Sequence, residues 1–483
     1  MSFGELGVVA LGGYLLVLAT VAEIARRSRQ DASPSDHFLA GRDLGVFVLF
    51  LTLYATAYSG NSLLGYPGRA YQAGFSFIMS TGFMMAIIVL FHAIAPRLRP
   101  IAAEHGFVTP GDWVRHRFRD DPAGPLLATA IGILMVIALA NFLLAQLQAM
   151  GTMTSRVTEG IIPHEVGVIS LALVILFYES LGGMRAVAWT DAGQGILMLF
   201  GLSALLFWLM GDGGGLSNIT ERVEALRPGA IAIPDTETCI NWFSTVALLG
   251  LGSILYPQAI QRIFAARSGR VLQRSFAIMT FMPLTTTLVV TLIGFAAIAR
   301  IDPAAGVASD EVMPYLLGEW ATAGGIPMFA AILVFVGALA AIMSTADSCL
   351  LSLGSLAVGD ILGRDRSDPG TTKIGKWLAA LVLFAMVPFA IQRELTLWRL
   401  IELKMELLVQ CVPAFLVALH WSRLRAWPTL IGLLLGTGIA VGGALLGAKT
   451  VFGVHSGLLG LGVNLVVATL GSIRSSPRAS ASS

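Results

Sequence analysis

The stretch Tyr54–Gly68, YATAYSGNSLLGYPG, decides how the chain is read. It lies inside a long apolar run, yet its centre is Ser59-Gly60-Asn61-Ser62, and Gly65, Pro67 and Gly68 follow. A lipid-facing helix gains nothing from so many helix breakers and small polar groups. Backbone released from helical pairing at membrane depth has to be buried in protein or line a cavity. Broken helices of this kind commonly form ion and substrate sites near the bilayer midplane. The competing reading is a polar kink that only packs against its neighbours, since Gly and Pro are tolerated in membrane helices.

Composition places the stretch in a bilayer. The 483 residues are 56% hydrophobic and 12% charged, with a mean hydropathy of +0.79. A soluble domain carries roughly 25% charge. Apolar runs of about 20 residues, the length that crosses a bilayer core as a helix, recur throughout. Thirteen spans follow: 5–25, 43–70, 74–96, 124–150, 164–182, 188–210, 240–263, 275–299, 325–356, 376–392, 396–420, 428–447 and 455–473. The first lacks a basic leader and is followed by Arg26, Arg27 and Arg29, the pattern of a retained anchor rather than a cleaved signal. With the N-terminus outside and the C-terminus cytoplasmic, Lys and Arg favour the cytoplasmic segments by roughly three to one. Arg262 is counted among those cytoplasmic residues. In span twelve, Gly432/Gly436, Gly438/Gly442 and Gly443/Gly447 repeat at the spacing of close helix packing.

Several classes are excluded. Basic residues cluster in short loops without the aromatic interleaving of a nucleic-acid surface. Cys239, Cys349 and Cys411 show no CxxC spacing, and the seven histidines show no paired metal spacing. No HExxH, GxSxG or nucleotide motif supports an intramembrane enzyme.

A second polar stretch stands in span nine, Ala341-Ile342-Met343-Ser344-Thr345-Ala346-Asp347-Ser348. Ser344 and Ser348 share a helix face, with Asp347 beside them. Hard cations prefer oxygen ligands, and two hydroxyls plus carbonyls freed in span two suit a small monovalent ion. The alternative is that each hydroxyl bonds back to its own helix. Asp347 is an intramembrane carboxylate and so a functional candidate by default. In span eleven Lys404 lies about 12 Å in from residue 396. It reads either as an attractor for a substrate carboxylate or as the partner of Glu402, Glu406 or another span. Ser59, Asn61, Ser62, Asn141, Gln146, Trp242, Tyr256 and Gln258 are further candidates to line a substrate site, by their position in facing spans.

Four stretches carry a family resemblance: FLAGRDLGVFVLFLTLYATAYSGNSLLGYPG at 38–68, YESLGGMRAVAWTDAGQ at 178–194, YPQAIQRIFAARS at 256–268 and MSTADSCLLSL at 343–353. Together and in this order they resemble the sodium:solute symporter family, which includes proline, pantothenate, monocarboxylate, sialic acid and sugar carriers. The resemblance implies an all-α polytopic membrane protein of about thirteen transmembrane helices, with inverted five-helix repeats and discontinuous helices. Residues 1–42 would hold the first span and a cytoplasmic loop, 43–210 repeat one, 240–420 repeat two, 428–473 two additional spans and 474–483 a disordered tail. It further implies a sodium site of the backbone oxygens of Ala55, Tyr58 and Ala341 and the hydroxyls of Ser344 and Thr345. Asp191, in the matching Trp189-Thr190-Asp191 element, would help in ion coupling or helix positioning, and Asp347 is the other ion-coupling candidate. The chain departs from the proline carriers at Ala57, where they place an aspartate, at Asn61, and near Leu249 and Ser253. Tyr54–Gly68 looks closer to the monocarboxylate-type branch.

The expected function is sodium-driven uptake of a small polar solute, a monocarboxylate or an amino acid, across the plasma (inner) membrane. The partners are that solute, sodium and the lipid bilayer. The resemblance implies that proton-coupled relatives of the fold can replace the ion with a titratable lysine in the helix that is here span six, and span six holds no Lys, Arg or His. Asp347 keeps a proton-coupled symporter open as the alternative, and a transporter-like sensor is the other.

Overall fold

The computed structural model describes residues 1–27, 39–364 and 369–474. Arg29 and the tail after Arg474 lie outside the described residues, as do the side chains of 178–190. Among the described residues the chain is helical nearly throughout, with one short hairpin pairing Thr450–Val451 and Val454–His455. A bilayer favours this, because a helix satisfies its backbone N–H and C=O groups within one segment.

Among the described residues, nine helices are long and apolar enough to cross a membrane, or ten if one bent pair counts as a span. The difference from thirteen has local causes. Span two is broken after Ala57: Val46–Ala57 is too short to cross alone, and the part from Asn61 runs on with span three in one stretch, Asn61–Glu104. Leu397–Leu408 carries Arg399, Glu402, Lys404 and Glu406 within 12 residues. Residues 164–182 and 188–210, read as two spans, lie in one helical run, His164–Asp212. No proline or Ser/Thr/Asp cap falls in 183–187 to stop the first helix and start another. Elsewhere the helices follow the expected spans, as with Gly325–Leu356, and cap residues set several starts. Asp235 accepts the amide of Thr238, Thr396 that of Arg399, and Pro257 opens the helix Pro257–Ala265.

The loops gather at two ends. At one end Arg156 pairs with Glu311, Arg393 lies 3.4 Å from Glu311, Arg300 bridges Asp212 and Glu319, and Glu159 accepts the amide of Gly4. At the other, Arg42 donates to the Phe107 carbonyl, Arg99 to that of Arg267, Arg115 pairs with Asp360, and Arg117 donates to Ala418 and Trp421. The span-twelve glycines divide. Gly432 and Gly436 press on Asn464 and Gln410, whereas a Cβ at Gly438 or Gly442 would meet nothing within 4 Å.

At the first end, the turn Ser309–Glu311 clamps the broken span against span eleven. The Ser309 carbonyl sits where a Cβ on Gly68 would lie, 2.0 Å away, and Asp310 accepts the amide of Leu397 at 3.0 Å. Burial, with Glu311 adding, pushes the Asp310 carboxyl up from 3.8 to about 6, against the opposing pull of the Leu397 amide and Arg393. The folded protein therefore holds a proton that the unfolded chain releases, and stability rises as pH falls from about 6 towards 4. Above pH 6 the penalty is fully present. Asp310→Asn is expected to raise the melting temperature at pH 7 and to flatten the gain between pH 7 and pH 5, measured by thermal unfolding of the purified protein. An unaltered pH dependence would contradict this account of Asp310.

Candidate functional site

Two helix breaks face the centre of the bundle. After Ala57 the backbone leaves the helix at Tyr58, with φ −109° and ψ 89°, and re-enters at Asn61. The Gly60 amide turns sideways to the Gln146 side chain at 3.1 Å instead of back along its helix. Among the described residues, no amide beyond Tyr58 returns to the carbonyls of Ala55, Thr56 or Tyr58. A Cβ on Gly60 would stand 2.8 Å from Ile342 and 2.9 Å from Ala149, so glycine is what lets the break approach span nine. The second break separates Thr236–Ser253 from Pro257–Ala265, which are bent by 51° around Tyr256. Tyr54 and Tyr58 tie the first break to span eight through Thr286 and Thr287, at 2.8 and 3.0 Å.

Between the breaks lies a cavity of about 70 Å³. Five of the expected residues line it: Ser59, Asn61, Ser62, Tyr256 and Lys404. Most of the remaining wall is apolar, including Leu53, Ile87, Phe91, Phe142 and Phe276. Both amide atoms of Asn61 are buried without a hydrogen-bond partner. The other candidates lie elsewhere. Gln146 holds Gly60, Gln258 is fully buried behind the second break, and Asn141 and Trp242 are half-buried and away from the cavity wall.

Lys404 does not pair with Glu402 or Glu406, which correct geometry excludes. Residues two apart on a helix point to different faces. Glu402 takes Arg399 at 2.9 Å and the Trp398 indole at 2.7 Å, while Glu406 lies 3.6 Å from Arg399 and 3.8 Å from His455. The Lys404 amine instead stands 3.3 Å from the centroid of the Phe142 ring and 5.4 Å from that of Tyr256. Such aromatic faces attract a cation, more strongly where it is desolvated.

The five expected sodium ligands are all buried. The Ser344 hydroxyl donates to Asp191, and that of Thr345 to the Ala341 carbonyl at 3.1 Å. Each hydroxyl oxygen keeps lone pairs beyond the proton it donates, so these bonds leave acceptor capacity for a cation. Asp347 is buried on the same helix.

Asp191 is the hub. Its carboxylate accepts the hydroxyls of Thr52 and Ser344 and a guanidinium N–H of Arg262 at 3.1 Å. Arg262 also donates to Thr52 at 2.9 Å, Ser348 at 2.7 Å and the Gln258 carbonyl at 3.2 Å. Both side chains are 0% exposed, which corrects the placing of Arg262 in a cytoplasmic segment. Sequence reasoning missed Arg262, Thr52 and Phe142. The flanks of Arg262 held the signal, since Ile260, Ile263 and Phe264 surround it with apolar residues. Trp189 and Thr190 have side chains outside the described residues.

A polytopic helical protein with two broken helices around a buried cavity has the architecture of a secondary transporter. Residues 37–436 match the family model of the sodium:solute symporter family, and the chain belongs to that family. It is 24% identical over 440 residues to the sodium/pantothenate symporter of Escherichia coli (strain K12), covering 89% of this chain and 88% of the relative. It is 26% identical over 438 residues to the sodium/proline symporter of the same organism, covering 88% and 84%. An uncharacterised symporter of Bacillus subtilis (strain 168), YhjB, is 23% identical over 410 residues, covering 84% and 82%. Among solved structures, a Na+-coupled sialic acid symporter in a substrate-bound outward-open state superposes with a TM-score of 0.78 at 18% identity, over 98% of each chain. Mhp1, a nucleobase-cation-symport-1 family transporter, gives 0.55 at 17% identity, covering 92% of this chain and 95% of that one. The protein is a multi-pass membrane transporter that couples solute uptake to sodium, not an enzyme.

Leaving one member of a buried ion pair without its partner costs about 3–5 kcal/mol, more than removing both. Asp191→Asn and Arg262→Met are each expected to lower the melting temperature, and the double variant to recover much of the loss. Thermal unfolding of the three variants measures this. Additive losses would show that the two side chains do not act as a pair.

Proposed function

We propose that the protein carries a small carboxylate-bearing solute, a monocarboxylate or an amino acid, into the cell together with sodium. The observation that supports this best is Lys404, a buried amine lining the cavity with no carboxylate within 4.0 Å among the described residues. An acid entering the cavity supplies the carboxylate that a buried ammonium needs to be stable there. A neutral sugar does not.

Sodium would bind between the first break and span nine, held by the carbonyls of Ala55, Tyr58 and Ala341 and the hydroxyls of Ser344 and Thr345. The carbonyls of Ala55 and Tyr58, which no following amide reaches, favour this, and so does the close approach at Gly60. Hydrogen bonds alone would leave those oxygens short of partners, a costly state in a bilayer. Each inward sodium releases roughly 2.3 kcal/mol per 100 mV of membrane potential, enough to drive accumulation of solute. The N-terminus would be outside and the C-terminus cytoplasmic, in the plasma membrane. Loop contacts support that orientation together with the charge bias. Gly4, Arg156, Glu311 and Arg393 meet at one end, while Arg42, Arg99, Arg115 and Arg117 bond at the other.

Removing a ligand oxygen leaves a dehydrated ion underserved by about 1–3 kcal/mol, which is roughly tenfold or more in affinity. Thr345→Ala and Ser344→Ala are each expected to raise the sodium concentration for half-maximal uptake by about that factor. Thr345→Ser, which keeps the hydroxyl, is expected to stay near wild type. Uptake into proteoliposomes over a sodium series measures it. Unchanged sodium dependence in both alanine variants would refute the proposed site.

A further inference from the structure

Resting on the carboxylate reading above, we infer that Lys404 is a proton site. The empty cavity holds its amine uncharged, and each carboxylate solute enters with one proton that this amine takes up. The surroundings of the nitrogen carry the argument. Among the described residues, the cavity wall holds no Asp, Glu, Arg or His beside Lys404. What the nitrogen meets is ring faces, Phe142 at 3.3 Å and Tyr256 at 5.4 Å from the centroids. The two rings stack, with centroids 5.2 Å apart at an interplanar angle of 20°. A hydrated ammonium brought into such a wall loses its water, and the quadrupoles of neutral rings return only part of that loss. Shedding the proton removes the cost.

The neighbouring groups leave this amine as the one that changes charge. Tyr66 from span two and Tyr256 from the second break are phenols, and Cys349 from span nine is a thiol. All three types are ordinarily uncharged near neutral pH. Asp347 and Arg262 lie near Cys349 rather than near the amine. On the helix of Lys404 itself, Glu402 is taken by Arg399 and the Trp398 indole, and Glu406 lies towards Arg399 and His455.

Binding reverses the balance. A carboxylate against the nitrogen supplies the counter-charge, and the amine lone pair takes one proton from water as the acid docks. The product is an ammonium–carboxylate pair joined by a charge-assisted bond. The unpartnered amide of Asn61, in the same wall, can donate to the other carboxylate oxygen. Release into the cell undoes both steps, so proton and acid leave together. The proton also sets the charge that moves. One sodium and one anionic acid cancel, and the membrane potential does no work on them. With the proton aboard, one positive charge crosses with each such pair, and the potential drives uptake.

Two measurements on the purified full-length protein test the inference. The first needs no solute. An amine that sheds its proton on folding makes stability rise with pH up to the ordinary lysine range, about 10.4. Lys404→Met is therefore expected to melt above wild type at pH 7, with the gap shrinking by pH 9. A gap of the same size at both pH values would overturn the inference. The second is calorimetric titration in sodium chloride at pH 7.5, with propionate and with alanine as probes, in phosphate and again in Tris. The two buffers differ in the heat absorbed when they give up a proton, so the difference counts protons taken up per acid bound. About one is expected. Lys404→Arg, whose guanidinium keeps its proton, is expected to bind without taking one up. Binding to wild type without proton uptake would overturn the inference, and so would uptake that persists in Lys404→Met or Lys404→Arg. Failure of the carboxylate reading looks different. Neither probe then binds while the shrinking gap remains, which overturns the joint entry of proton and acid and leaves the uncharged amine standing.

Discussion

The carboxylate of Asp191 holds together the elements around the cavity and the proposed ion site. It receives a hydroxyl from Thr52 in the first half of span two, a hydroxyl from Ser344 in span nine and the guanidinium of Arg262 beyond the second break. Three elements that approach the cavity or the proposed ion site thus converge on one buried group. The arrangement is viable only because it is nearly complete. Arg262 uses four of its five N–H groups, and both carboxylate oxygens are occupied. In a low-dielectric interior a half-satisfied network would cost more than an apolar core.

The same economy explains the breaks. At Tyr58–Gly60 the chain gives up helical bonds, and the Gln146 side chain replaces only one of them, at Gly60. The carbonyls of Ala55, Thr56 and Tyr58 remain available to something other than backbone. On the far side of the break, Asn61, Ser59 and Ser62 face the cavity. Ion and solute would therefore meet the same few residues of backbone from opposite sides. Any solute that settles the conformation of Ser59–Ser62 also settles the carbonyls behind it. Linkage then requires that sodium and solute raise each other's affinity by the same factor.

Much of this was legible in the sequence where a residue violates its surroundings. Gly60, Gly65, Pro67 and Gly68 in an apolar run announced the break, and Ser344, Thr345 and Asp347 marked span nine. Arg262 was legible only as a buried arginine, through its apolar flanks, since nothing local names the carboxylate it meets. Only tertiary packing brings Asp191 to it, across 71 residues. The setting of Lys404 was half legible. Helical periodicity alone removes Glu402 and Glu406 as partners, but nothing local indicates that Phe142, from span four, supplies the ring beneath the amine. The loop helices Pro110–Arg117, Gly215–Leu226 and Val312–Ala321 were not legible as elements because they are too short to cross a bilayer.

The central claim is that the carbonyls of the first break and of Ala341, with the hydroxyls of Ser344 and Thr345, form a sodium site. Equilibrium binding of radiolabelled sodium to the purified protein tests it most directly, since it needs no knowledge of the solute. The account predicts saturable binding that unlabelled sodium displaces and potassium does not, with affinity lowered in Thr345→Ala and retained in Thr345→Ser. Absence of saturable binding at neutral pH, or binding equally displaced by potassium and untouched by loss of the Thr345 hydroxyl, would contradict it.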